Sequence, residues 1–103
     1  MEIKVLENGS NLTVEISGKI DTITSPELEK CLIDAMAGKS ETILDFDKVN
    51  YISSAGLRVV LFAKKVMDKE NGKFAIINVD EDVFEVFEMT GFSDALEIKK
   101  KPL

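Results

Sequence analysis

The chain has no histidine. That removes a Ser-His-Asp triad, an imidazole general base and the commonest zinc ligand together. Cys31 is the only cysteine, so an internal disulfide is excluded and a reducing cytoplasm is the expected location. No apolar run approaches the ~20 residues needed to cross a bilayer, and the opening Met1-Glu2-Ile3-Lys4 lacks the basic and apolar pattern of a secretory signal. Basic charge is also scarce: 13 Lys and Arg stand against 19 Asp and Glu, a formal net charge of −6. Nucleic-acid binding needs a basic face that displaces counterions, so neither nucleic acid nor an anionic lipid surface is an expected partner. Finally, there is no Gly-x-x-x-x-Gly-Lys-Ser/Thr loop to cradle a nucleotide. The carboxylates are scattered without metal-ligand spacing, so no cofactor and no metal are expected.

What is present is enough for one domain, residues 1–103, with 45% hydrophobic residues to build a core. Glu2 to Glu7 and Leu12, Val14 and Ile16 alternate around the turn cluster Asn8-Gly9-Ser10-Asn11, which predicts a β-hairpin. Gly18 to Thr24 reads as a connection. Ser25-Pro26 opens a helix, Ser as N-cap and Pro at the first helical position, with Leu28, Cys31, Leu32, Ala35 and Met36 on its apolar face and Gly38 after it. Thr42 to Phe46 reads as a short strand. A long helix follows from Ala55 to about Lys69, with an apolar stripe so broad that burial on more than one side is expected. Lys73 to Val79 is nearly all apolar, as in a central strand covered by helices. Asp80 caps a third helix whose predicted buried face is Val83, Val86, Phe87 and Thr90. Leu96 to Ile98 adds a final edge strand, and Lys99 to Lys101 reads as a solvated tail. The order β-β-α-β-α-β-α(-β) predicts an α/β fold: a mixed, mostly parallel sheet flanked by helices.

The chemistry concentrates in Asp45-Phe46-Asp47-Lys48-Val49-Asn50-Tyr51-Ile52-Ser53-Ser54-Ala55-Gly56-Leu57-Arg58. A strand, a polar crossing and a serine pair lead into the long helix. The first N–H groups of a helix lack intrahelical partners and its dipole is positive there, so this is a place that tolerates an added anion. A hydrolase nucleophile is excluded on two counts: position 52 is Ile, so the Gly-x-Ser-x-Gly frame is missing, and no histidine can activate the hydroxyl. Two readings of the serine pair stand side by side. One is plain N-capping, a common use of Ser. The other is covalent modification, in which a phosphoserine brings nearly two negative charges to a site that accommodates them.

The same residues carry a resemblance. Gly18-Lys19-Ile20-Asp21, then Val49-Asn50-Tyr51-Ile52, then Ser54-Ala55-Gly56-Leu57 and an apolar helix occur in the order and spacing of the STAS domain family, and the chain resembles its bacterial anti-sigma factor antagonists. That resemblance implies a single STAS domain that is not an enzyme. It implies binding to an anti-sigma factor that is itself an ATP-dependent serine kinase, release of a sigma factor, phosphorylation of Ser54 as the off switch, and a serine phosphatase that restores binding. Ser53 stands where many members have Asp, and Ala55 replaces a second hydroxyl, which leaves Ser53 as the alternative acceptor. The partner surface implied by resemblance comprises Asp21, Thr22, Ser53, Ala55, Gly56, Leu57 and Arg58. Asp21 has two readings, orienting the serine or partner on one side, bonding its own loop on the other. Arg58, one turn beyond Ser54, is expected to be solvated rather than phosphate-bound; Phe62 and Met67 are expected in the core rather than at an interface. The family also includes assembly subunits beside transport and other signalling complexes, in which Ser54 would only cap a helix.

Overall fold

The computed structural model describes residues 1–102. Its elements are β1 (Glu2–Asn8), β2 (Asn11–Ile20), α1 (Ser25–Met36), β3 (Glu41–Ile52), α2 (Ser54–Lys69), β4 (Lys73–Val79), α3 (Glu81–Met89) and β5 (Glu97–Lys100), with a 3-10 turn at Phe92–Asp94. This is the α/β order read from the sequence, terminal strand included. The sheet runs β1-β2-β3-β4-β5. The hairpin partner β1 is antiparallel to β2; the remaining neighbours are parallel.

Each parallel neighbour is reached through one helix, and the strand order always steps the same way. Right-handed crossovers then place all three helices on one face of the sheet. The contacts agree: Thr42 Oγ1 donates to Met67 Sδ of α2 at 3.4 Å, the rings of Phe46 and Phe87 of α3 lie 6.4 Å apart, and α1 packs on α2. Between sheet and helices sits the core, where Val14, Leu44, Phe46 and Ile76 meet Leu28, Val60, Met67 and Phe87, all fully buried. On the opposite face Thr13, Glu15, Ile43, Asp45, Ala75 and Ile77 are half-buried. The apolar run of β4 is therefore covered by helices on one side, not both.

Four expectations are corrected. The polar crossing after Phe46 is strand: β3 continues to Ile52, 12 residues in all. It does so because β2 also continues through Gly18–Ile20, and two register shifts let Asp47 and Lys48 face outward while Val49 and Ile52 return to the core. Ser25 does not cap α1. It lies inside the first turn, 3% exposed, and its hydroxyl donates to the Asp21 carbonyl. Lys99 to Lys101 is no free tail: Lys99 and Lys100 belong to β5, Lys100 Nζ lies 3.6 Å from the Glu81 carboxylate and 4.4 Å over the Phe84 ring, and Lys101 pairs with Asp47 at 3.5 Å. The predicted Asp80 cap forms, its carboxylate accepting from Val83 N at 2.8 Å. The α3 face is narrower than predicted, since Val83 and Phe87 are buried, Val86 is half-buried and Thr90 is exposed.

Candidate partner-binding and modification site

Strands β2 and β3 end side by side, Ile20 opposite Ile52. Ser53 N donates to the Ile20 carbonyl at 2.8 Å, the last bond joining them. Beyond it the two chains part, one into the Asp21 turn and the other into α2. Both loops leave the carboxyl ends of parallel strands, the place where open α/β sheets commonly carry their sites.

The two serines divide the work. Ser53 has extended backbone (φ −92, ψ 175), and its Oγ accepts from Gly56 N at 3.3 Å. Its carbonyl accepts the first helical bond, from Leu57 N at 2.9 Å. Ser53 is the N-cap. Ser54 is the first helical residue, exposed, and among the described residues its hydroxyl has no hydrogen-bond partner. Capping and a free hydroxyl, alternatives for either serine in the sequence, fall on different residues. A phosphate on Ser54 Oγ would sit at the positive end of the α2 dipole, favoured by about 0.3–1 kcal/mol.

Gly56 is required by packing. A Cβ there would lie 2.7 Å from Ile20 Cγ2 and 2.8 Å from Ile52 Cγ1. That contact seats the start of α2 directly on the ends of both strands. Leu57 is 3% exposed. Both residues lie beneath the surface and brace the turn, so neither offers a side chain to a partner.

Asp21 is occupied by its own turn. Its Oδ1 accepts from Ile23 N and Thr24 N, each at 3.0 Å, and from Thr24 Oγ1 at 3.1 Å. The Thr24 hydroxyl in turn accepts from Asp21 N, and it lies 2.9 Å from the Lys19 carbonyl. The Thr24 N–H foremost holds the Asp21 carboxyl below the ordinary 3.8; desolvation, the next largest effect, opposes it, and the Thr24 hydroxyl, the Ile23 N–H and the Lys19 charge add to the lowering. The local-backbone bonds expected of Asp21 are present. The clamped turn leaves Thr22 exposed and presents Ile23 at 87% exposure.

Between the turn and α2 runs a cleft of ≈ 270 Å³, lined by Thr22, Ser25, Pro26 and Glu29 on one wall and Ala55, Arg58 and Val59 on the other. Larger hollows of ≈ 290 and ≈ 600 Å³ lie elsewhere, lined by no residue of the Asp21 turn or of the first turn of α2. Arg58 is exposed, with no ion-pair partner among the described residues. Met67 is fully buried, whereas Phe62 is 40% exposed, four residues beyond Arg58 on the outer face of α2. Two exposed apolar residues near the serine turn went unread in the sequence, Ile23 and Tyr51 (49% exposed). The Asp-x-x-Thr spacing signals the turn; nothing in a lone Ile signals that the turn will hold it in water.

Among the described residues there is no group of His, Cys, Asp and Glu side chains that could hold a metal ion, and no helix long and apolar enough to cross a membrane.

Fold and motif together define the class. The STAS domain family model matches residues 2–102, and the chain belongs to the STAS domain family. Similar relatives are the anti-sigma-B factor antagonist of Bacillus subtilis (strain 168), 27% identical over 98% of this chain and 93% of that protein, and that of Listeria monocytogenes, 30% identical over 96% and 87%. Among solved structures, the anti-sigma factor antagonist SpoIIAA superposes in its unphosphorylated form with TM-score 0.82 at 15% identity, covering 94% of this chain and 87% of that one. The Bacillus cell fate determinant SpoIIAA in its phosphorylated form gives 0.74 at 14%, covering 94% and 90%. At that identity the superposition speaks for the fold.

Proposed function

We propose that the protein is an anti-sigma factor antagonist, a binding regulator rather than an enzyme, that captures an anti-sigma factor with serine-kinase activity and is switched off by phosphorylation of Ser54. The observation that carries this reading is the exposed, unbonded Ser54 hydroxyl at the first position of α2, beside a rigid turn, in a chain whose relatives are named anti-sigma factor antagonists. The contact surface is the predicted set without the buried Gly56 and Leu57, namely Asp21, Thr22, Ser53, Ala55 and Arg58, around the exposed Ser54. A serine phosphatase would reset the switch.

The physics of the switch is local. The free chain tolerates the phosphate because the helix end favours it. A partner packed over Ser54 has to desolvate that charge, at several kcal/mol unless it offers a matching cation. A loss of ~4 kcal/mol is about a thousandfold in affinity. No rearrangement of the fold is needed.

The test is phosphoryl transfer. The anti-sigma factor retained by the immobilised chain, once purified, is incubated with ATP and each variant. Wild type and Ser53→Ala should be labelled and Ser54→Ala should not. Label that survives in Ser54→Ala but vanishes in Ser53→Ala would move the site by one residue. No label in any variant would leave an unswitched assembly subunit as the better reading.

A further inference from the structure

We propose that Ile23 is an apolar anchor for the kinase, the side chain by which the partner grips the chain while Ser54 is in its active site. This rests on the reading of Ser54 above and assigns a distinct role to one residue of the neighbouring Asp21 turn. Among the described residues Ile23 is the most exposed large apolar side chain, at 87%; the next, Met89, is 77% exposed and lies at the end of α3. The backbone that carries Ile23 is held in place, because its own N–H and that of Thr24 are tied to the Asp21 carboxylate at 3.0 Å. Thr24 Oγ1, which accepts from Asp21 N at 2.9 Å and lies 2.9 Å from the Lys19 carbonyl, closes the turn from below.

The turn is fixed relative to Ser54 as well as within itself. The bond from Ser53 N to the Ile20 carbonyl (2.8 Å) and the seating of Gly56 on Ile20 join the two loops into one rigid edge. A protein that transfers a phosphoryl group to Ser54 Oγ has to descend on this end of β2 and β3. An ordinary interface covers about 800 Å² on each partner, so the neighbouring turn lies within the footprint. A rigid, already exposed apolar group loses little conformational freedom on binding and gains by leaving water. The occupant that fits is therefore the kinase, with an apolar pocket beside its phosphoryl-transfer site. Asp21 acts as a positioning residue through Ile23.

The experiment is steady-state phosphorylation of the purified chain by the purified kinase with ATP, comparing wild type, Ile23→Ala, Ile23→Asp, Asp21→Ala, Asp21→Asn and, as a control on α1, Ile33→Ala. An anchor that contributes equally to ground state and transition state moves KM and leaves kcat alone. Expected KM increases are about tenfold for Ile23→Ala and about a hundredfold for Ile23→Asp, with kcat within about twofold of wild type. Melting temperatures should stay within about 2 °C, since an exposed side chain is removed. Asp21→Ala should raise KM as Ile23→Ala does, and Asp21→Asn, which keeps the acceptor oxygen, should recover most of the loss. Ile33→Ala should match wild type. Wild-type KM for Ile23→Asp, with Ser54 still labelled, overturns the anchor and leaves the Ser54 reading standing. Absence of label at Ser54 in wild type overturns both.

Discussion

Two adjacent serines with different jobs make a sharp comparison at the scale of single residues. Ser53 Oγ satisfies Gly56 N, so Ser53→Ala should cost about 1 kcal/mol in a urea melt. Ser54 contributes no such bond, and Ser54→Ala should be within about 0.5 kcal/mol of wild type. Equal costs would mean that the division of labour is wrong. Gly56 is the opposite case: its Cβ position is already occupied by Ile20 and Ile52 side chains, so Gly56→Ala should destabilise by about 1–3 kcal/mol through overpacking. Asp21 gives the pH dependence. Its folded pKa lies below 3.8, chiefly because the Thr24 N–H bonds the carboxylate. A depressed folded pKa stabilises above the unfolded value and loses that contribution as pH falls through the folded one. An NMR titration should place the Asp21 midpoint below 3.8, and the melting-temperature gap between wild type and Asp21→Ala should close as pH falls through it. A midpoint at or above 3.8 would mean the turn does not hold its carboxylate. The candidate site was partly legible at this scale. Residue type gave a serine pair at a helix start and the family resemblance singled out Ser54 and Asp21, whereas the burial of Gly56 and Leu57 and the exposure of Ile23 depend on which surface the neighbouring strand covers.

Among the elements, periodicity told most where burial is one-sided. The β2 alternation, the α1 stripe and the Asp80 cap all form as their patterns predict, because each is decided by residues within a few positions. The end of β3 was not legible, since Asp47, Lys48 and Asn50 look like a loop and become strand only because β2 runs alongside them with two register shifts. The start of α1 was hidden similarly: Ser25 has the composition of a cap, but Asp21 and Thr24 begin the turn earlier and bury it. In α2 the broad apolar stripe concealed an outward edge. Phe87, fully buried against Phe46, should cost about 3–5 kcal/mol as Phe87→Ala. Phe62, 40% exposed, should cost clearly less in the same melt; a loss as large as that of Phe87→Ala would place Phe62 in the core.

For the molecule as a whole, one covered face and one end of the sheet do different things. Three helices on one face enclose the core, which leaves the carboxyl ends of β2 and β3 to carry a rigid edge made of the Asp21 turn and the start of α2. A rigid edge suits the proposed switch by charge alone, in which a phosphate on Ser54 would alter what can pack against the edge and leave the edge itself unchanged. The α/β class and the order of elements along the chain were readable from alternating patterns; the placement of all helices on one face follows from the order of strands within the sheet, which local patterns do not contain. The direct measurement is the affinity of the purified anti-sigma factor, in calorimetry, for the chain carrying phosphoserine at position 54 and for the unmodified chain, with an amide NMR spectrum of each free form. The account predicts at least a tenfold loss of affinity on phosphorylation, with amide shifts confined to the Asp21 turn and the first turn of α2. Equal affinities, or a weakened complex accompanied by shifts throughout the sheet, would contradict it.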